Sequence, residues 1–182
     1  MIQLEKVPKT HPLYQEIRNR HYVENHGCIG RQLHYFVRDA EGFNSLPIGI
    51  ISGASAAWAC KPRDEYFKII HKTRAEQIQN IIDNVVFRLE KNEKNLATQI
   101  LAQWRKQVVI DWEEQYGAKP LGFETFVDNS PDRQRYGTIY RADNWDYVGM
   151  TSGTARKFTG KKHEFESTTS KMIFCKWIKK HW

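Results

Sequence analysis

The sequence predicts an α/β fold: a single domain with a mixed sheet flanked by helices. Three observations lead there. A strand pattern, a long amphipathic helix and a second strand follow one another from Asn84 to Asp128, and a strand–helix–strand crossover sets its two strands parallel. Strand patterns joined by turn-rich loops lie outside that unit, and hairpins are antiparallel. The 182 residues, 40% hydrophobic and 13% aromatic, suffice for one core and argue against disorder.

The elements read in order as follows. Residues 1–7 form a short strand. Residues 11–22 form a helix, with Thr10 as its cap and Pro12 in the first turn, where a missing N–H costs nothing. LHYFVR (33–38) and IGIIS (48–52) are strands around a hairpin loop, DAEGFNSLP. Residues 54–59 are small and read as helical. Residues 63–81 carry helix formers, with Phe67, Ile70, Arg74 and Ile78 near helical spacing.

NVVFRLE (84–90) reads as a central strand, followed by the polar break KNEKN. Residues 96–115 are the clearest helix: Leu96, Ile100, Leu101, Trp104, Val108 and Trp112 share one face at period 3.6, and Gly117 and Pro120 end it. PLGFETFVD (120–128) is a strand, 136–142 a short helix and WDYV (145–148) a short strand. Residues 152–170 read as a polar loop, and MIFCKWI (172–178) closes the sheet.

The net charge of +7 is unevenly spread: up to Thr151 there are 20 Lys/Arg against 19 Asp/Glu, and beyond it 8 against 2. A neutral body with a basic end fits a polyanion such as nucleic acid, and equally a solvated tail. Cys28, Cys60 and Cys175 show neither disulfide nor zinc spacing, which points to a reducing compartment. The chain opens without a signal-peptide pattern, and no window reaches the ~18 apolar residues of a membrane span. A cytoplasmic protein without membrane association is expected.

Three segments carry candidate chemistry. The turn at Asn92–Asn95 precedes the long helix, whose N-terminal N–H groups suit a phosphate, with Lys91 and Lys94 adding charge; an ordinary capped helix is the structural alternative, and the preferred one on this segment alone. ETFVDNSPDRQRYGTIY places Glu124 and Asp128 at a strand end ahead of Tyr136 and Tyr140. A carboxylate and a phenol there can act as base and acid or hold a metal; a surface turn with a core tyrosine is the alternative. Arg20–His21–Tyr22 ends the first helix, where a histidine is a dipole partner, a core residue or a catalytic group.

These same segments carry a family likeness. GTIYRADNWDYVGMTSG resembles the end of the Mom family of phage DNA-modification proteins. It also resembles the Druantia A protein family of phage-defence systems, in which ETFVD precedes a GTxYRAxNWxYxGxT run. Arg20–His21–Tyr22, Leu33–His34–Tyr35 and FRLEKNEKNLATQIL are similar to earlier parts of both. The likeness spans Arg18 to Gly153. It implies a GNAT-like fold and transfer of a carbamoylmethyl or acyl-type group to adenine N6 in DNA, protecting phage DNA from restriction. It implies His21, Asp128 and Tyr140 as catalytic residues, and Arg88, Asn95 and Thr98 along a cofactor groove. Acyl-CoA is the implied donor, with an aminoacyl donor on tRNA as its substitute because KNEKN replaces the glycines of the usual pyrophosphate loop. Iron, held by His21 and Asp128, is a further implied cofactor.

Adenine N6 is a poor nucleophile, so a transferase acting there needs a base, an oriented electrophile and oxyanion stabilisation. Its target must leave the duplex stack, and Trp58, Tyr66 or Trp145 offers a stacking face if exposed. Arg156, Lys157, Lys161 and Lys162 are the expected DNA-backbone contacts, and a homodimer is allowed for. Two other classes fit the sequence: an N-acyltransferase for a small amine or protein, and a non-catalytic DNA-binding defence component.

Overall fold

A computed structural model describes residues 2–22, 28, 30–39, 46–158 and 163–178. The main sheet has seven strands in the order β1 (Ile2–Val7), β2 (Gln32–Asp39), β3 (Gly49–Ser55), β4 (Ile81–Leu89), β5 (Gly122–Asp128), β9 (Lys171–Trp177) and β6 (Asp146–Met150). Every neighbouring pair is antiparallel except β4 and β5, which run parallel as the crossover requires. A separate two-stranded ribbon joins β7 (Thr154–Phe158) to β8 (His163–Ser167).

The crossover is α4 (Leu96–Tyr116). Its apolar stripe, Ile100, Trp104, Val108 and Trp112, packs on Leu33, Tyr35, Ile51, Ile82 and Phe123. Burying side chains of this size contributes about 1.5–3 kcal/mol each. Gly53 makes the fit possible: a Cβ there would lie 2.6 Å from Ile82 Cγ2 and 3.1 Å from Trp104 Cζ2. The other face of the sheet is covered by α1 (Pro12–Asn19), through Tyr14 and Ile17 on Phe36, Ile50 and Val86. Beside it lie α2 (Lys61–Tyr66) and α3 (Arg74–Gln79), with Phe67 and Ile78 on Ile81, Ile173 and Cys175. α5 (Thr138–Ala142) lies against α4.

The structure departs from the sequence reading in four places. Residues 54–59 are not helical: β3 runs to Ser55 because β2 and β4 both offer it ladder bonds, which outweigh the helix propensity of alanine. The helix expected over 63–81 is broken at Lys68, whose φ is 53°, and again by a 3-10 turn at His71–Thr73; the breaks let Phe67 and Ile78 both reach the sheet. The expected loop at 152–170 contains the β7–β8 ribbon, whose two strands pair antiparallel from Thr154↔Ser167 to Phe158↔His163. The first helix stops at Asn19, and His11, not Thr10, caps it by accepting the Leu13 N–H on Nδ1 at 3.2 Å. Arg156 and Lys157 lie on β7, whereas Lys161 and Lys162 lie outside the described residues. Among the described residues no helix is long and apolar enough to cross a membrane.

Candidate active site where β4 and β5 part

β4 and β5 pair only from Ile81↔Gly122 to Asp83↔Glu124. Beyond that point β4 continues beside β3 and β5 beside β9, so the sheet opens between them. The β4 register also shifts here: Gly53 faces Asn84 and Ser52 faces Val86, which leaves Val85 as the extra residue of a bulge. Asn84 ties the bulge together. Its Nδ2 donates to the carbonyls of Ser52 at 3.1 Å and Val86 at 3.2 Å. With the amide nitrogen so engaged, Oδ1 is left to accept from the Tyr140 hydroxyl at 2.8 Å. Thr125 Oγ1 donates to the Asn84 carbonyl at 3.1 Å and lies 3.4 Å from the Tyr140 oxygen. Burial pushes the Tyr140 phenol well above its ordinary value, so it stays a neutral donor.

Tyr140 is held from three sides. Arg105 on α4 grips Asp143 at the end of α5 with two bonds, 2.6 and 2.7 Å long. Trp145 packs on the Tyr140 ring at 5.1 Å and donates its indole N–H to Asp143. Gly137, at φ 66°, begins the helix against Phe174, with no room for a Cβ. Trp145 is thus a core residue and no stacking face. Tyr66 is half-buried and donates to Asp146 at 2.6 Å, while Trp58 is 63% exposed.

Arg133 joins the remaining candidates. Its Nε lies 3.5 Å from Asp128 Oδ2 and its Nη1 donates to the Tyr22 carbonyl at 2.6 Å. The Tyr22 ring packs, tilted, against His21 at 4.6 Å and carries Arg135 over its face at 3.9 Å. One arginine therefore brings the His21–Tyr22 segment to the end of β5. Burial alone would raise the Asp128 carboxyl. The Ser130 N–H and hydroxyl, with Arg133 and Lys171, outweigh burial and hold it below the usual aspartate value.

Arg88 serves the same segment. It donates to the Arg20 carbonyl and, at 2.6 Å, to Glu90, which also receives Arg20 at 3.3 Å. It anchors the end of α1 to the end of β4. The α4 N-terminus lies beyond that strand end. Asn95 caps it in the left-handed conformation at φ 64° and makes no side-chain cap bond. Asparagine tolerates that conformation, so KNEKN makes its tight turn without glycine. Thr98 Oγ1 donates to the Asn95 carbonyl at 2.9 Å, and the first-turn N–H groups have no acceptor within the helix. A helix end left in this way suits phosphate oxygens.

Residues 1–175 match the family described as Druantia protein DruA. The chain belongs to that family. No curated protein matches the sequence. Among solved structures, Arabidopsis thaliana NAA60 in complex with acetyl-CoA is 11% identical, with a TM-score of 0.57, over 98% of this chain and 99% of that one. A Bacillus subtilis acetyltransferase in complex with CoA is 9% identical, with a TM-score of 0.55, over 98% and 99%. The DruA-family chain therefore has the GNAT fold.

The described residues do not support a metal at this DruA-family site. Asp128 is committed to Ser130 and to the cationic Arg133, and no group of three or more His, Cys, Asp or Glu suited to a metal occurs among the described residues. Glu124, read from sequence as a strand-end acid, is instead the fully buried counter-ion of Arg63 at 2.7 Å. The sequence reading did not single out Asn84, Thr125 or Arg133. The polar pair Asp83–Asn84 inside the apolar run IIDNVVF is the one local signal that could have marked this point.

Proposed function

We propose that this chain is a GNAT-fold transferase that moves an acyl group from a thioester donor onto the exocyclic amine of adenine in DNA, forming an amide and releasing the thiol. The observation that carries the reading is the parting of β4 and β5 beside a helix N-terminus without a side-chain cap, with a neutral buried phenol at one side and an ionised carboxylate at the other. The A. thaliana and B. subtilis fold relatives, complexes with acetyl-CoA and CoA, support acyl-CoA as donor. The Mom likeness of GTIYRADNWDYVGMTSG supports adenine in DNA as target.

The first turn of α4, with Asn95 and Thr98, would hold the donor's phosphates, and its thioester arm would lie in the parting. When bound, acyl-CoA supplies an acyl thioester, an electrophile for an amine. The chain's own groups then have separate tasks. Tyr140 keeps its proton and can give it to a departing sulfur. Asp128 is a carboxylate at neutral pH and accepts hydrogen bonds from an amine. His21, beside Tyr22, accepts the amine proton. Arg88 orients the His21 segment through the Arg20 carbonyl.

The test is mass analysis of nucleosides from cells expressing the protein. A new modified deoxyadenosine, absent with His21→Ala or Asp128→Ala at unchanged thermal stability, supports the proposal. Unmodified DNA together with acetylation of a small amine or a protein would move the target to the small-substrate class.

A further inference from the structure

A cavity of about 440 Å3 opens on the face of the sheet that also carries α1 and α3. Its walls include Ala54, Ala57 and Ile78, with Trp58 and Gln79 also lining it. One acidic group reaches it from β4: Asp83, which is 8% exposed and whose Oδ1 has no hydrogen-bond partner among the described residues. A buried polar oxygen without a partner costs about 1–3 kcal/mol, and the carboxyl group that carries it belongs to a residue lining the cavity, where a ligand donor or acceptor can repay that cost.

Asp83 is also the last β4 residue paired with β5 before the two strands part. The cavity floor therefore adjoins the site of the proposed transfer. We propose that this cavity is a nucleobase pocket in which the Asp83 carboxyl group pairs with the N–C–NH2 edge of an aminated base, adenine or cytosine. The inference rests on the reading of the protein as a nucleobase-modifying transferase and places in this cavity a base of the DNA substrate other than the one whose amine reacts at Asp128.

The chemistry of the floor selects this ligand class. Burial, and then the charge of Glu124, raises the Asp83 carboxyl well above the usual aspartate value, which favours its protonated form. Burial raises Glu124 too, to about 7, but the fully buried Arg63 guanidinium 2.7 Å away, which cannot lose its charge, favours the Glu124 anion. A protonated carboxyl presents one O–H donor and one acceptor side by side. The amidine edge of adenine or cytosine presents the complement: a basic ring nitrogen and an N–H donor. Thymine also presents a donor and an acceptor, N3–H and a carbonyl, but the carbonyl is a weaker acceptor than a basic ring nitrogen. An ammonium ligand is disfavoured by a neutral acid and by Arg63 behind it. Trp58, 63% exposed at the cavity wall, presents a ring on which a base released from the helix can stack. A volume of this order suits a nucleoside-sized ligand.

The experiment is calorimetric titration of the full chain, as wild type, Asp83→Asn and Asp83→Leu, with deoxyadenosine, deoxycytidine, N6,N6-dimethyldeoxyadenosine and thymidine. Deoxyadenosine or deoxycytidine should bind wild type at least about tenfold more tightly than the dimethylated base, as expected for loss of a hydrogen bond in a buried site, and more tightly than thymidine, which keeps both bonds through a weaker acceptor. Asp83→Asn keeps a donor and an acceptor in the same places and should bind within about threefold of wild type; Asp83→Leu should lose about tenfold or more. Equal binding by Asp83→Leu, loss in Asp83→Asn as complete as in Asp83→Leu, or no binding of any base by wild type overturns the proposal. DNA modification that persists while Asp83→Leu binds bases normally removes this pocket and leaves the transferase reading standing. Asp83-dependent base binding without any DNA modification does the reverse.

Discussion

The Arg63 guanidinium meets the Glu124 carboxylate at 2.7 Å with neither side chain exposed to solvent. Arg63 also donates to Asp64 at 2.7 Å and to the Ala57 carbonyl at 2.5 Å, and Glu124 accepts the Ala57 N–H at 3.1 Å. The pair thus fixes the loop between β3 and α2 against β5. Removing one partner strands the other charge in the core. Arg63→Met should cost about 3–5 kcal/mol in denaturant melts, and the double change Arg63→Met with Glu124→Met should cost less than the sum of the two single changes. Additive costs would show that the two groups are not coupled.

Tyr140→Phe removes one hydroxyl and leaves Asn84 Oδ1 without its donor. The expected stability loss is about 1 kcal/mol, whereas the rate of base modification should fall by about 10²–10⁴ if the phenol is the proton donor. Single-turnover kinetics beside a thermal melt separates the two effects. A rate within threefold of wild type would confine Tyr140 to a packing role.

Gly137→Ala tests how α5 carries Tyr140. A Cβ at residue 137 would lie 2.3 Å from Phe174 Cε2, and the residue's φ is 66°. Overpacking and strain together should destabilise the protein by about 1–3 kcal/mol. Phe174→Leu in the same chain opens space at the ring and should recover part of the loss. No recovery would assign the whole cost to the backbone conformation.

His34 gives the fold a pH dependence. It is buried, with Nδ1 3.0 Å from the Tyr14 hydroxyl and 3.1 Å from Ser52 Oγ. Burial, and then Lys9, lowers its pKa to about 4. The folded value lies below the unfolded one, so the unfolded chain binds the extra proton first. The stabilisation is therefore complete above about pH 6.5 and is lost as the pH falls toward 4, up to about 3 kcal/mol in all. Urea melts at pH 7, 6 and 5 should show a decline that His34→Gln flattens. Parallel curves for the two proteins would contradict the assignment.

The basic segment beyond Thr151 bears on DNA binding. If Lys161 and Lys162 touch phosphate, replacing both with alanine should weaken DNA binding alike for all sequences. It should also flatten the slope of log K against log salt by about 1–2 units. Fluorescence anisotropy at several salt concentrations measures both quantities. An unchanged slope would favour a small substrate over DNA.

The sequence by itself determined the architecture around α4. Six apolar residues at helical period, from Leu96 to Trp112, with strand patterns on either side, require an apolar stripe laid on a sheet and a parallel pair beneath it. Those signals are local, because side-chain periodicity follows from backbone geometry within a few residues. Tertiary structure alone decided three other features. It broke the helix expected over 63–81, because Phe67 and Ile78 must both face the sheet. It made Glu124 a buried counter-ion by bringing Arg63 to it across 61 positions. It brought the His21–Tyr22 segment to Asp128 through Arg133, whose bond to Tyr22 spans 111 positions. Periodicity carries no record of which distant charge will be packed beside a carboxylate, and that neighbour, with the water its arrival excludes, sets both the conformation and the protonation of the group.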